Sequence, residues 1–175
     1  MNYMPKLDRR SFLAGSATVG LSLGFHVPFI SSTSAQGAPE VNAWVVIKPD
    51  DTVIIRIARS EMGQGTLTGL AQMVAEELEC DWSKVTTEYP TPGESVARKN
   101  PWGDFGTGGS RGIRTSQDYV RKGGAAARMM LVQAAANGWN VPVAECTVAK
   151  GVISHKTQNR RTTYGQVAAL AAQIG

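Results

Sequence analysis

Two cysteines and two histidines are all the thiol and imidazole ligands that 175 residues provide. Cys80 and Cys146 stand far apart in the chain. They can form one disulfide, but by themselves they cannot hold an iron–sulfur cluster or a structural zinc. His26 falls in the N-terminal stretch, so His155 is the one histidine of the remainder. It lies in strand-like sequence near a hairpin, a setting for a packed imidazole rather than a catalytic one. A dominant charge is also missing. The net charge is +4, and it falls to +2 once Lys6, Asp8, Arg9 and Arg10 are set aside. That balance is too even to argue for a nucleic-acid surface. The pair Arg160-Arg161 reads as a solvated strand edge. No Gly-Lys-Ser/Thr closes a phosphate loop, and no three-glycine dinucleotide fingerprint is present. What is there is globular: 42% hydrophobic and 18% charged residues, at a length for one domain.

The first 35 residues read as an address. A short basic start leads into Asp8-Arg9-Arg10-Ser11-Phe12-Leu13, a twin-arginine pattern. The stretch from Phe12 to Ile30 is only mildly apolar, diluted by Gly15, Gly20 and Gly24 and broken by Pro28. A membrane span wants a stronger, unbroken run; an uncleaved anchor is the competing reading. Thr33-Ser34-Ala35 offers small residues for cleavage, so the mature chain is expected to start near Gln36. The twin-arginine route carries folded proteins, often with a cofactor already inserted, and this favours a periplasmic redox protein.

Beyond a short linker, Asn42 to Lys48 and Thr52 to Ala58 alternate as two strands of a hairpin around Pro49-Asp50-Asp51. Thr66 to Glu79 carries Leu67, Leu70, Ala71, Val74, Ala75 and Leu78 on one stripe at helical spacing. Lys84 to Tyr89 reads as a further strand, so strand, helix and strand predict a βαβ crossover. Pro90 to Ile113 reads as a long irregular loop with three prolines and six glycines. Trp102 and Phe105 within it read as packing residues. A long helix is expected from about Arg114 to Asn137, thinned by Gly123-Gly124 for close packing and stopped by Gly138. Val141 to Lys156 reads as strand material with a hairpin turn at Lys150-Gly151, and with Cys146, Val148, Val152 and Ile153 as core. A last helix carries Tyr164, Val167, Ala168, Leu170, Ala171 and Ile174 on its apolar face. The fold class is α/β (α+β): a mixed sheet with a βαβ crossover, one long helix and a C-terminal helix packed on it.

Two glycine clusters open helices. Met62-Gly63-Gln64-Gly65 stands between a β-branched strand and the helix from Thr66. A tight turn there brings backbone N–H groups to a helix N-terminus, which suits an anionic group. Glu61 flanks it; a carboxylate there repels a phosphate, so its expected work is to accept from loop N–H groups or to pair with Arg59. Gly106-Thr107-Gly108-Gly109-Ser110-Arg111-Gly112 is the second cluster, with the Ser110 hydroxyl and the Arg111 guanidinium as further anion donors. Each is a common kind of turn; two in one small domain, behind an export signal, strengthen one another.

Arg59-Ser60-Glu61-Met62-Gly63-Gln64-Gly65-Thr66, followed by Ala75-Glu76-Glu77-Leu78, resembles the molybdenum hydroxylase family related to xanthine dehydrogenase. The resemblance is to its large subunit of the isoquinoline 1-oxidoreductase and periplasmic aldehyde dehydrogenase type. Gly108-Gly109-Ser110 leading to Ala125-Ala126-Ala127-Arg128-Met129-Met130-Leu131, and Tyr164-Gly165-Gln166, fit as well. It implies that Met62, Gly63, Gln64, Gly65 and Thr66 lie against a molybdenum–molybdopterin cofactor, through backbone amides and the Gln64 carboxamide. Thr107, Gly108, Gly109 and Ser110 would then line the pterin or its phosphate, in the plain or the cytosine dinucleotide form.

The same resemblance implies oxidation of an aldehyde or N-heterocycle, with oxygen from water. Electrons would pass to a 2Fe-2S small subunit and a cytochrome c subunit, in a periplasmic complex that meets the membrane through the cytochrome. Large subunits of this family run several hundred residues further and carry their catalytic glutamate there, so no catalytic residue and no protein metal ligand is assigned here. The expectation is residues 1–35 as signal peptide and 36–175 as an N-terminal cofactor-binding segment. That segment would be inactive alone and completed by further sequence or a second chain. The rival readings are a non-catalytic anion-binding or interaction domain and an inactive remnant.

Overall fold

The computed structural model describes residues 37–174; the expected signal peptide lies outside them. Strands β1 (Val45–Ile47) and β2 (Val53–Arg56) form the expected antiparallel hairpin, with Val45 opposite Ile55 and Ile47 opposite Val53. All seven strand residues are buried, so the sheet is covered on both faces rather than half-solvated. The covering of the face that carries Ile54 and Arg56 comes from the supposed loop. Trp102 there is fully buried and donates from Nε1 to the Ala43 carbonyl at 2.8 Å. The Arg56 and Arg98 guanidinium groups lie 5.9 and 5.1 Å from its ring centroid, a cation–π arrangement.

Helix α1 (Thr66–Leu78) buries Leu70, Ala71, Val74, Ala75 and Leu78 along the expected stripe. It leads through the turn Trp82–Lys84 to β3 (Val85–Glu88), which pairs parallel to β2. The predicted βαβ crossover is therefore present. The segment read as irregular holds helix α2 (Pro92–Ala97), in which Thr91 Oγ1 accepts from the Glu94 N–H at 3.1 Å. Thr91, Pro92 and Glu94 make an N-terminal helix signature that was open to sequence reading.

The long helix also differs in detail. A short helix α3 (Arg111–Arg114) precedes α4 (Gln117–Trp139). Gly138 lies inside α4, which stops at Asn140 in the left-handed region. The Val141 N–H reaches back to the Ala136 carbonyl at 3.1 Å, a Schellman closure in which asparagine replaces the usual glycine. The thin middle of α4 does bring backbones together. A Cβ on Gly124 would stand 2.5 Å from the Val74 carbonyl oxygen of α1, and one on Gly123 would stand 2.8 Å from the Trp44 indole.

Strands β4 (Cys146–Ala149), β5 (Val152–His155) and β6 (Arg160–Thr163) form a second, antiparallel sheet. Among the described residues there are thus two three-stranded sheets rather than one, and only the first is mixed. Lys150 and Gly151 make the expected hairpin turn, both with positive φ. Of the expected strand core only Ile153 is fully buried, while Cys146, Val148 and Val152 are half-buried. Helix α5 (Tyr164–Ala171) starts from a capping box of Thr163 and Gln166 and packs on α4. Its Tyr164, Val167, Ala168 and Ala171 are buried, but Leu170 and Ile174 are exposed. The Tyr164 hydroxyl donates to the Leu78 carbonyl at 2.6 Å, which ties the second sheet's helix to the end of α1.

Candidate functional site

The first glycine loop is folded around its own carboxylate. Glu61 Oε1 accepts from the Gly63 and Gly65 N–H groups at 2.7 and 2.9 Å, and Oε2 accepts from the Leu67 N–H at 2.9 Å. Gly63 and Gly65 both have positive φ, at 96° and 76°. Those turns, which glycine takes without a Cβ penalty, point successive amides inward at one acceptor. The Leu67 and Gly65 amides hold the Glu61 carboxyl below the usual carboxylate range. Gln64 completes the loop: its Oε1 accepts from the Met62 N–H, and its Nε2 donates to the Ser60 carbonyl and Thr66 Oγ1. Of the two tasks expected of Glu61, accepting from the loop amides is the one found.

Arg59 instead holds the second loop. Its side chain leaves the end of the β2 segment and is buried, with 3% of the residue exposed. Nε donates to Ser116 Oγ at 2.9 Å, Nη2 to Thr115 Oγ1 at 3.0 Å, and Nη1 to Asp104 Oδ2 at 2.9 Å and to the Gly106 carbonyl. Thr107 Oγ1 donates to the Ser60 carbonyl at 3.1 Å. Beneath, a Cβ on Gly112 would stand 2.9 Å from Thr66 Cγ2 and Oγ1. Two clusters more than forty residues apart in sequence thus lie side by side.

Met62, Gly63, Gln64 and Gly65 are exposed, and so are Gly108, Gly109 and Ser110; Thr107 is half-buried. Thr66 is buried under Gly112 and shapes the loop from beneath rather than facing outward. The donors expected to serve a ligand at the first loop, the Met62, Gly63 and Gly65 amides and the Gln64 carboxamide, are spent within the loop. The reason is that Glu61 already supplies the anion that the turn favours.

The second loop has the opposite character. Arg111 and Arg114 are exposed, each giving one bond to a loop carbonyl, at Gly108 and Gly109 respectively. A guanidinium has five donors, so both keep donors to spare. Ser110 has positive φ and makes no capping bond with its hydroxyl. Asp104 is the acidic counterweight. The Gly106 amide first, then Arg59 and Arg111, hold its carboxyl below its ordinary range.

Sequence reading missed Asp104, Thr115, Ser116 and Tyr89, whose hydroxyl accepts from the Glu61 N–H at 3.2 Å. It weighed Arg59 only against Glu61. An arginine at the end of an apolar strand was the available signal, since a buried guanidinium demands several acceptors. Trp102 packs as expected, and Phe105 is half-buried against the core. His155 is buried, accepts at Nδ1 from the Gln158 N–H and meets Glu145 Oε2 from Nε2 at 2.8 Å. It braces the β5–β6 turn. Cys80 and Cys146 are free thiols, not a disulfide. Among the described residues no group of three or more His, Cys, Asp or Glu is placed to hold a metal ion. Two grooves of about 500 and 430 Å³ run along α1 and α4 and are not lined by the glycine loops. The loops form an open wall, not an enclosed pocket.

Residues 5–175 match the family model described as a molybdopterin cofactor-binding domain. The chain belongs to that family. It is 37% identical over 172 residues to the isoquinoline 1-oxidoreductase subunit beta of Brevundimonas diminuta, covering 94% of this chain and 22% of that protein. It is 34% identical over 171 residues to the membrane-bound aldehyde dehydrogenase [pyrroloquinoline-quinone] of Gluconacetobacter polyoxogenes, covering 93% of this chain and 21% of the relative. The chain therefore spans about a fifth of the length of these curated relatives.

Among solved structures, it superposes on CO dehydrogenase from Oligotropha carboxidovorans with a TM-score of 0.52 at 25% identity, over 71% of this chain and 15% of that one. Quinoline 2-oxidoreductase from Pseudomonas putida 86 shares the fold, with a TM-score of 0.54 at 19% identity, over 71% of this chain and 15% of that one. The resemblance read from the Arg59–Thr66 motif and the residues that follow it is thus confirmed at the level of the family and the α+β fold.

The residues of the wall fit a molybdopterin as one side of its site. Exposed glycine backbone at Gly63, Gly65, Gly108 and Gly109 has no atom within 4 Å of a built Cβ, so a flat ligand can approach closely. The spare hydroxyl and guanidinium donors of Ser110, Arg111 and Arg114 suit its phosphate.

Proposed function

We propose that this domain forms one wall of the molybdenum-cofactor site of an oxidoreductase that oxidises an aldehyde or an N-heterocycle. The single observation that carries the reading is the locking of two exposed glycine loops into one surface by Arg59 and by the Thr107–Ser60 bond. The names of the two curated relatives, an isoquinoline oxidoreductase and an aldehyde dehydrogenase, support the substrate class.

When bound, the cofactor supplies two-electron chemistry at its metal. The chain's own residues bind and orient. Arg111, Arg114 and the Ser110 hydroxyl take the anionic end, in the plain or the cytosine dinucleotide form. The first loop, its amides already satisfied by Glu61 and Gln64, offers a rigid edge with Met62 outermost. Among the described residues none is assigned the reaction's proton transfer, and this reading leaves that step to groups other than these loops. Electrons leave through a 2Fe-2S partner subunit and a cytochrome c. The N-terminal twin-arginine pattern supports export of the folded, loaded protein to the periplasm.

Metal and pterin analysis of the complex purified from its source tests this. Molybdenum and pterin in step with this chain are expected, and neither being found would overturn the reading. The name of the second relative carries pyrroloquinoline quinone, so the same sample is assayed for that quinone; its presence in place of pterin refutes the cofactor assignment. The second reading is a non-catalytic anion-binding or interaction domain. The self-satisfied first loop favours it, and it predicts phosphate binding with no pterin.

A further inference from the structure

We infer that Arg59 is a positioning residue that sets the gap between the two glycine loops, and with it the fit of the cofactor's anionic end. This rests on the reading above. Among the described residues Arg59 contacts four groups of the second loop and the start of α4: Asp104, Gly106, Thr115 and Ser116. Its own backbone continues directly into Ser60 and Glu61, so it moves with the first loop. Among the described residues the one carboxylate it meets is Asp104, whose side chain is 51% exposed. Asp104 also lies 3.5 Å from Arg111. A buried cation with so exposed a partner is poorly placed to stabilise the core. What the guanidinium offers is geometry. Its planar fork fixes several acceptors at set directions, which a lysine ammonium cannot do.

Arg56 gives the contrast. It is also buried, but it binds Glu88 of β3 at 2.6 Å and Glu40 at 2.7 Å, and both belong to the sheet and its flank. Arg56 ties the sheet to its flank and lies over Trp102 without touching the second glycine loop; Arg59 ties one loop to the other. The two arginines stand three residues apart with the same chemistry, which makes Arg56 the internal control.

The test uses the protein in its native complex. Hydrogen exchange is followed at residues 104–110 and along α1 and α4, and molybdenum and pterin are counted per chain. In Arg59→Lys, exchange at 104–110 is expected to rise at least tenfold while the α1 and α4 amides keep their protection. Pterin content should fall several-fold. In Arg56→Lys, protection should fall in β1–β3, with 104–110 rising no more than the core. Unchanged exchange at 104–110 in Arg59→Lys, or a rise shared equally with the core, overturns the inference.

Should Arg59→Lys not fold, Thr115→Val at an exposed position removes one acceptor. It should raise exchange at 104–110 about threefold, and no change counts against the clasp. Absence of pterin from the wild-type complex defeats the cofactor reading and this inference's cofactor half together. A loaded wild type with an equally loaded, equally protected Arg59→Lys defeats the inference alone.

Discussion

Two glycines of α4 should respond to the same substitution with opposite sign. Gly124→Ala places a Cβ 2.5 Å from the Val74 carbonyl oxygen and 3.1 Å from Glu77 Cβ. The nearer obstacle is backbone of α1 and cannot turn aside, so the helices must separate. Overpacking of this kind costs about 1–3 kcal/mol, and contact with backbone puts it toward the upper end. Removing a helical glycine offsets up to about 1 kcal/mol. The expected net loss is about 1–2 kcal/mol, a fall of roughly 2–8 °C in Tm at 2–4 °C per kcal/mol. Gly138→Ala meets nothing within 4 Å, so the propensity gain stands alone, at about 0.5–1 kcal/mol and a rise of a few degrees. Urea and thermal unfolding of both variants, followed by far-ultraviolet circular dichroism, check this. A Gly124→Ala variant as stable as the wild type would mean that α1 and α4 do not meet at Val74, and the close-approach argument would fall.

Other outcomes follow from single contacts. Glu61 has its carboxyl lowered by the Leu67 and Gly65 amides. Its loop bonds are therefore intact at neutral pH and are lost only as pH falls through that lowered value. A carboxyl-carbon NMR titration should find a midpoint under the ordinary value of about 4.3, and one at or above it refutes the amide clasp. Tyr164→Phe strips the Leu78 carbonyl of a buried 2.6 Å donor and should cost about 1–2 kcal/mol in urea unfolding; a neutral result means water replaces it. Burial pushes the Cys80 thiol up to about 11, so alkylation at pH 8 should be about a hundredfold slower than for an ordinary cysteine. Rapid labelling would contradict that burial. Gln64→Ala removes both the acceptor of the Met62 N–H and the donor to Ser60 and Thr66. Pterin occupancy of the complex should fall, and wild-type occupancy rejects a role for this loop. Replacing Arg9-Arg10 with Lys-Lys should leave precursor in the cytoplasm, and unchanged export rejects the twin-arginine assignment.

Elements with a strong local period were legible in the chain. The α1 stripe, the first hairpin, the crossover to β3 and the thinness of α4 at Gly123-Gly124 all follow from spacing that each segment carries within itself. Where competing local signals met, reading failed. Gly138 looked like a helix stop, but the Val141-to-Ala136 bond let the helix run on to Asn140. Proline and glycine between Pro90 and Ile113 hid the cap of α2 and the anchoring of Trp102.

The sequence by itself determined the family, because the run Arg59 to Thr66 is a contiguous motif. It also determined the crossover, because its period is local. Only the tertiary structure decided what the motif's donors do. Whether the loop amides face a ligand or Glu61 depends on the positive φ angles of Gly63 and Gly65 acting together. Whether the second loop lies beside the first depends on Arg59 reaching Asp104, 45 residues away. A spacing pattern records neighbours along the chain. It does not record which distant acceptors a buried guanidinium must find once water is excluded.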